Sequence, residues 1–135
     1  MKVKCIIEMA KDGGFSCYTK ESFEGFALFG YGDSVTETKE DFLSSYEEIV
    51  EMRKEENKET PVLEFDWEYD LASFFNYFSI LNVSELARKS GINDSQLRRY
   101  KAGQIKASQK TFEKLSDTIS RVGHELISAK IHTFN

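Results

Sequence analysis

Four side chains in one short segment, Ser95, Gln96, Arg98 and Arg99, carry groups suited to the edges of nucleic-acid bases. Glutamine can pair adenine, and arginine guanine, through two hydrogen bonds, each worth roughly 1–3 kcal/mol of discrimination. Around them stand Ser84, Lys101, Lys106, Ser108, Gln109 and Lys110, donors of the kind that hold phosphate oxygens. Asp94 suits a helix N-terminus but would repel a phosphate, so it is assigned to capping or to a cytosine contact. The bland alternative for Arg98, Arg99 and Lys101 is a solvated basic helix face. Spacing, taken up below, decides between the two.

Other chemically capable residues do not converge. Both histidines, His124 and His132, lie near the C-terminal end, and GxGxxG, GxxxxGK[ST], HExxH and GxSxG are all absent. Cys5 and Cys17 lack metal-ligand spacing and read as small buried hydrophobes. A nuclease would need several carboxylates converging on Mg²⁺. Those of this chain instead alternate with apolar residues, as on solvated faces. The expectation is a binding protein and not an enzyme, with no metal and no cofactor.

The elements that must position Ser95 to Arg99 follow from periodicity. In 82–104 (NVSELARKSGINDSQLRRYKAGQ), Asn82 and Glu85 have capping-box spacing and open a short helix with Leu86 and Ala87 inward. Ser90-Gly91-Ile92 makes a tight turn, in which Gly91 is free to take φ > 0. Asn93 caps the next helix, with Gln96 at its capping-box position and Leu97 and Tyr100 inward; Ala102-Gly103 closes it. Two short helices joined through a Gly-containing turn signal a helix-turn-helix. Upstream, Asp70 can cap a helix bearing Leu71, Phe74, Phe75, Phe78 and Leu81. Downstream, Phe112, Leu115, Ile119, Val122 and Leu126 recur at helical spacing. Gly123 leaves open whether 108–131 forms one helix or two. Val122 to Ile131 could contact a second copy or pack on the chain's own aromatic helix.

The N-terminal half has a different grammar. Residues 2–9 and 15–19 read as strands joined by the KDGG hairpin turn, and 26–32 as a third strand. Ser34 and Glu37 form a capping box, after which Phe42, Leu43, Tyr46, Ile49 and Val50 follow a helical period. That helix is expected to fray over Arg53–Glu59, before Pro61. From Val62 to Tyr69 apolar and acidic residues alternate strictly, placing Leu63, Phe65, Trp67 and Tyr69 on one face. The reading is an α+β fold: a small β-β-β-α-β antiparallel-sheet domain over 1–70, then an all-α helix-turn-helix domain with a helical extension over 71–135.

Charge divides at the same place. The 135-residue chain has a net charge of −5. Residues 1–70 hold eight Lys/Arg against eighteen Asp/Glu, a net of −10, and residues 71–135 hold ten against five, a net of +5. The asymmetry suits an acidic part that shuns or mimics nucleic acid and a basic part that binds it. No apolar run approaches membrane-spanning length and no secretory signal is apparent, so the expected setting is cytoplasmic, with reduced thiols and no membrane partner.

Two family resemblances rest on these motifs. The DGG turn, Glu24-Gly25-Phe26 and Gly32-Asp33-Ser34-Val35-Thr36-Glu37 resemble the HicB antitoxin domain, with Glu-Gly-Phe replacing the family's Pro-Gly-Cys and an unusually aromatic third strand. Leu86, Ala87, Gly91, Leu97 and Gly103 stand in the register of the phage-repressor (XRE) helix-turn-helix, a resemblance that covers 71–122, without the proline common near Ala107. The first resemblance implies a truncated ribonuclease-H-like fold without nuclease carboxylates, covering the active site of a small basic HicA-like ribonuclease toxin. Candidate toxin contacts are Glu40, Glu47, Glu48 and Glu51 on the helix, or Glu64, Asp66 and Glu68 on the last strand. The second implies that Asp94–Lys101 enters the major groove of double-stranded operator DNA, read as paired half-sites by a homo-oligomer, dimer or tetramer. Together they imply a repressor of its own operon. The alternative is a stand-alone regulator whose N-terminal domain senses a ligand or dimerises.

Overall fold

A computed structural model describes residues 1–22 and 25–132; Glu24, part of the Glu-Gly-Phe element, lies outside the described residues. The chain is a mixed α+β protein with a four-stranded sheet and five helices among these residues, forming two compact units, Met1–Tyr77 and Phe78–Asn135.

In the first unit, β1 (Lys2–Met9) and β2 (Phe15–Thr19) form the expected hairpin, with Gly13 at φ +93 in its turn and the Asp12 carboxylate accepting from the Gly14 N–H at 2.9 Å. β3 is shorter than the 26–32 expected and spans Phe29–Gly32, antiparallel to β2. β4 (Glu64–Tyr69) pairs with β1 in parallel, giving the order β3-β2-β1-β4. The sheet is therefore mixed, which corrects the antiparallel expectation. The reason lies in α1 (Val35–Glu55), which carries the chain from the β3 edge to the far edge, where β4 enters in the direction of β1.

Two glycines seat that helix. Gly30 and Gly32 alternate on β3 toward α1. A Cβ on Gly30 would fall 2.7 Å from the Phe42 backbone nitrogen and clash with the Thr38 carbonyl; one on Gly32 would fall 2.8 Å from the Thr38 nitrogen. The close approach buries Val3, Cys5, Ile7, Phe15 and Cys17 beneath Val35 and Phe42. Phe42 then meets Phe65 and Trp67 edge-on, both at 5.0 Å between ring centroids. Leu43, expected inward, is exposed. The predicted cap of α1 forms, with Ser34 Oγ accepting from the Glu37 N–H at 3.1 Å, while the Glu37 carboxylate reaches one residue past the cap to accept from the Asp33 N–H at 3.0 Å. At the other end α1 stops at Glu55, with Asn57 at φ +60, and Arg53 ties the following loop by donating to Thr60 Oγ1 at 2.9 Å.

The aromatic helix after β4 is shorter than the sequence suggests, and its place differs. α2 covers Leu71–Tyr77 alone and belongs to the first unit, so the units divide between Tyr77 and Phe78 and not at Asp70. Asp70 caps it as expected, accepting from the Ser73 N–H at 3.2 Å. Ser73 Oγ in turn accepts from the Met9 N–H at 2.8 Å, and Tyr77 lies edge-on to Phe15 at 5.2 Å, so the helix is fastened to the end of the sheet.

The second unit holds α3 (Val83–Ser90), α4 (Asp94–Lys101) and α5 (Gln109–Ser128), with α3 packed on both others. Val83, Leu86, Ala87, Ile92, Leu97, Tyr100 and Leu115 form its buried hydrophobic core, with Thr118 of α5 also buried. α5 runs through Gly123 without a break, so 109–128 is one helix.

Candidate nucleic-acid interface

The α3–α4 pair sets the candidate surface. α3 ends at Gly91, whose φ of +74 is the left-handed conformation that glycine adopts without strain, and its N–H donates to the Ala87 carbonyl at 2.9 Å. Ile92 follows, buried, and Asn93 starts α4 three residues after α3 stops. Asn82 Oδ1 accepts from the Glu85 N–H at 3.0 Å and Asn93 Oδ1 from the Gln96 N–H at 3.2 Å. Neither box closes reciprocally, however. The Glu85 carboxylate takes the Arg88 guanidinium instead, which holds Glu85 below the usual carboxylate range and raises Arg88. Gln96 Nε2 donates forward to the Tyr100 hydroxyl.

Burial of Leu97 and Tyr100 fixes the rotation of α4 and turns Ser95, Arg98 and Arg99 outward. With Asn93, Asp94, Ala102 and Gln104 they line one concave surface. The expected base-reading residues do not share one state within it. Arg98 Nε donates to Asp94 Oδ1 at 3.0 Å, Arg98 Nη2 to Ser84 Oγ at 2.8 Å, and Ser84 Oγ to Asp94 Oδ2 at 2.9 Å. Ser84 and Arg98 are thus occupied by a closed ring joining the first turns of α3 and α4, and Asp94 does more than cap. Gln96 is half-buried against Tyr100. The Ser95 and Arg99 side chains are exposed and, among the described residues, make no hydrogen bond or ion pair.

The expected phosphate donors also separate. Lys106 and Lys110 are exposed without a partner among the described residues, and Lys101 is half-buried. Ser108 caps α5, accepting from the Thr111 N–H at 3.2 Å, and Gln109 Nε2 donates to Glu113 at 3.2 Å. The ring around Asp94 could have been anticipated in part, since Asp94 and Arg98 stand at i, i+4. The reach back to Ser84, ten residues earlier, had no sequence signal.

In the acidic unit the two candidate contact sets differ. Glu47, Glu48 and Glu51 lie along one shallow surface of α1 with Glu55, Ser44 and Met52, and no cation pairs with these three glutamates among the described residues; Glu40 is exposed further up the helix. On β4, Glu64, Asp66 and Glu68 do point away from α1, but they sit opposite Lys2, Lys4 and Ile6 of β1, and Lys4 Nζ reaches Glu68 at 3.8 Å. No three His, Cys, Asp or Glu residues gather as a metal site among the described residues, and no described helix is long and apolar enough to cross a membrane. Comparison with protein-family models, curated proteins and solved structures found no match.

Proposed function

We propose that this protein is a DNA-binding repressor of the antitoxin type, whose basic C-terminal unit reads an operator and whose acidic N-terminal unit captures a small basic toxin. The observation that carries the reading is the α3–α4 pair: two capped eight-residue helices, a left-handed Gly91 between them, and a second helix that buries Leu97 and Tyr100 while presenting Ser95 and Arg99. That arrangement supports reading the pair as a helix-turn-helix, with α4 in the place of a recognition helix. Lys106 and Lys110, exposed beyond α4, suit phosphates on either side of a groove.

The toxin role rests on the HicB resemblance and on charge. A unit of net −10 speeds encounter with a basic protein, and α1, whose Glu47, Glu48 and Glu51 stand clear of cations, is the contact set we favour over the lysine-interleaved β4. A second copy is proposed along the far end of α5, where Leu126 is 67% exposed and Ile127 84%. Fluorescence anisotropy on DNA from upstream of the gene, at two salt concentrations, tests the central proposal. Tight, salt-sensitive binding is expected, lost in Arg98→Ala/Arg99→Ala; equally weak binding by both proteins would sink it. Co-expression with the product of the neighbouring reading frame tests the toxin role. A basic partner that co-purifies supports the antitoxin, and its absence favours a stand-alone regulator.

A further inference from the structure

Resting on the DNA-binding reading, we infer that the two adjacent arginines of α4 have separate tasks: Arg99 reads a guanine, and Arg98 is a positioning residue that holds α4 on α3. Both side chains line the same concave surface, so their position along the helix does not distinguish them. Their partners do. Arg98 spends Nε on Asp94 and Nη2 on Ser84, and Asp94 closes the ring by accepting from Ser84. For Arg98 to reach a base it must leave both of its contacts, to Asp94 and to Ser84. It would also leave Asp94, the one acid of α4, as an uncompensated negative charge facing phosphates. Each contact is at the surface and individually weak. The electrostatic penalty on Asp94 is what keeps the arginine in place.

Arg99 carries no such penalty. Its side chain has no acid or hydrogen-bond partner among the described residues, and Ser95 stands one turn before it on the same face. Ala102, one turn beyond Arg98, is too small to block the approach of a base pair. A guanidinium free to present two parallel donors matches the O6 and N7 acceptors of guanine. The Asp94–Arg98 pair also has zero net charge, so it adds little to the phosphate attraction. The charge that α4's exposed face offers to DNA is that of Arg99.

The experiment uses the full chain and a duplex selected by it from a random pool. Each guanine in turn is replaced by 7-deazaguanine, which lacks the N7 acceptor, for the wild type, R98A, R99A, R99K and D94N. Wild type should lose about tenfold in affinity at one guanine, consistent with loss of one bidentate contact. R98A should bind more weakly at every site yet keep that tenfold step. R99A should lose the step, and R99K should regain affinity without regaining it. D94N frees Arg98, so its binding should become more salt-dependent, by up to about one unit of 0.9 in the log–log slope. Circular dichroism melts confirm that each variant is folded. Loss of the step in R98A with retention in R99A, or its retention in both, overturns the division of tasks. If no duplex is enriched from the pool, the DNA-binding reading fails, and this inference fails with it.

Discussion

The two units bury their apolar residues in opposite ways. In the acidic unit one long helix lies flat on a sheet, admitted by Gly30 and Gly32, and the core is a continuous layer from Val3 to Trp67. In the basic unit three helices enclose only a handful of side chains, with Leu97, Tyr100 and Leu115 nearly sealed from solvent. The first arrangement depends on long-range register between strands, the second on caps and a turn within about twenty residues. The difference teaches that charge and fold are divided together here. Each unit carries its own core and its own sign of charge, so each can be disturbed by itself.

The comparison can be broken most forcefully at the centre of each core. Phe42→Ala removes a fully buried ring from the aromatic layer and should cost about 3–5 kcal/mol, read by chemical denaturation. DNA binding by the basic unit should survive at temperatures where that variant has lost its sheet signal; loss of both together would show that the units fold as one. Leu97→Ala, also fully buried, should cost about 2–5 kcal/mol and abolish DNA binding while the sheet remains.

Smaller effects sharpen it. Gly30→Ala adds one methyl where α1 touches β3 and should destabilise the sheet by about 1–3 kcal/mol, whereas Gly123→Ala, with open space around it, should stabilise α5 by roughly 0.5–1 kcal/mol. The acidic unit should also be the alkali-sensitive one. Burial pushes the Cys5 thiol up to about 12 and the Cys17 thiol up to about 11 from their ordinary 9.0, and like charge adds to both. Both folded-state values lie above the unfolded ones. The stabilisation is therefore full below about pH 9 and is lost as the pH rises through about 11 and 12. Denaturation midpoints at pH 8 and pH 10.5 should fall less in Cys5→Ala/Cys17→Ala than in the wild type. A cap is of similar small size: Asn93→Ala should cost α4 about 1 kcal/mol, measured as weaker DNA binding and a slightly lower melt.

Local signals proved the most legible part of the chain. The DGG turn, the Ser34–Glu37 box and the oxygen atoms of Asn82 and Asn93 at their caps all depend on neighbours within four residues, and sequence spacing is enough to place them. The candidate surface was legible only as a helix face. Gln96 and Arg98 have the chemistry of base readers, but chemistry says nothing of a competing partner. Tyr100 and the Ser84–Asp94 pair supply those partners once the helices are packed.

By itself the sequence determined the mixed α+β class, the separation of an acidic from a basic unit, the helix starts and the turn at Gly91. These follow from periodicity, capping and charge, which act over a few residues or simply add up. The tertiary structure alone decided that β4 runs parallel to β1, that α2 closes the acidic unit, and that glycines on β3 seat α1. It also decided which of two neighbouring arginines is held and which is presented. Each of these is a contact between residues far apart in the chain. Its geometry comes into being only when the backbone brings them together.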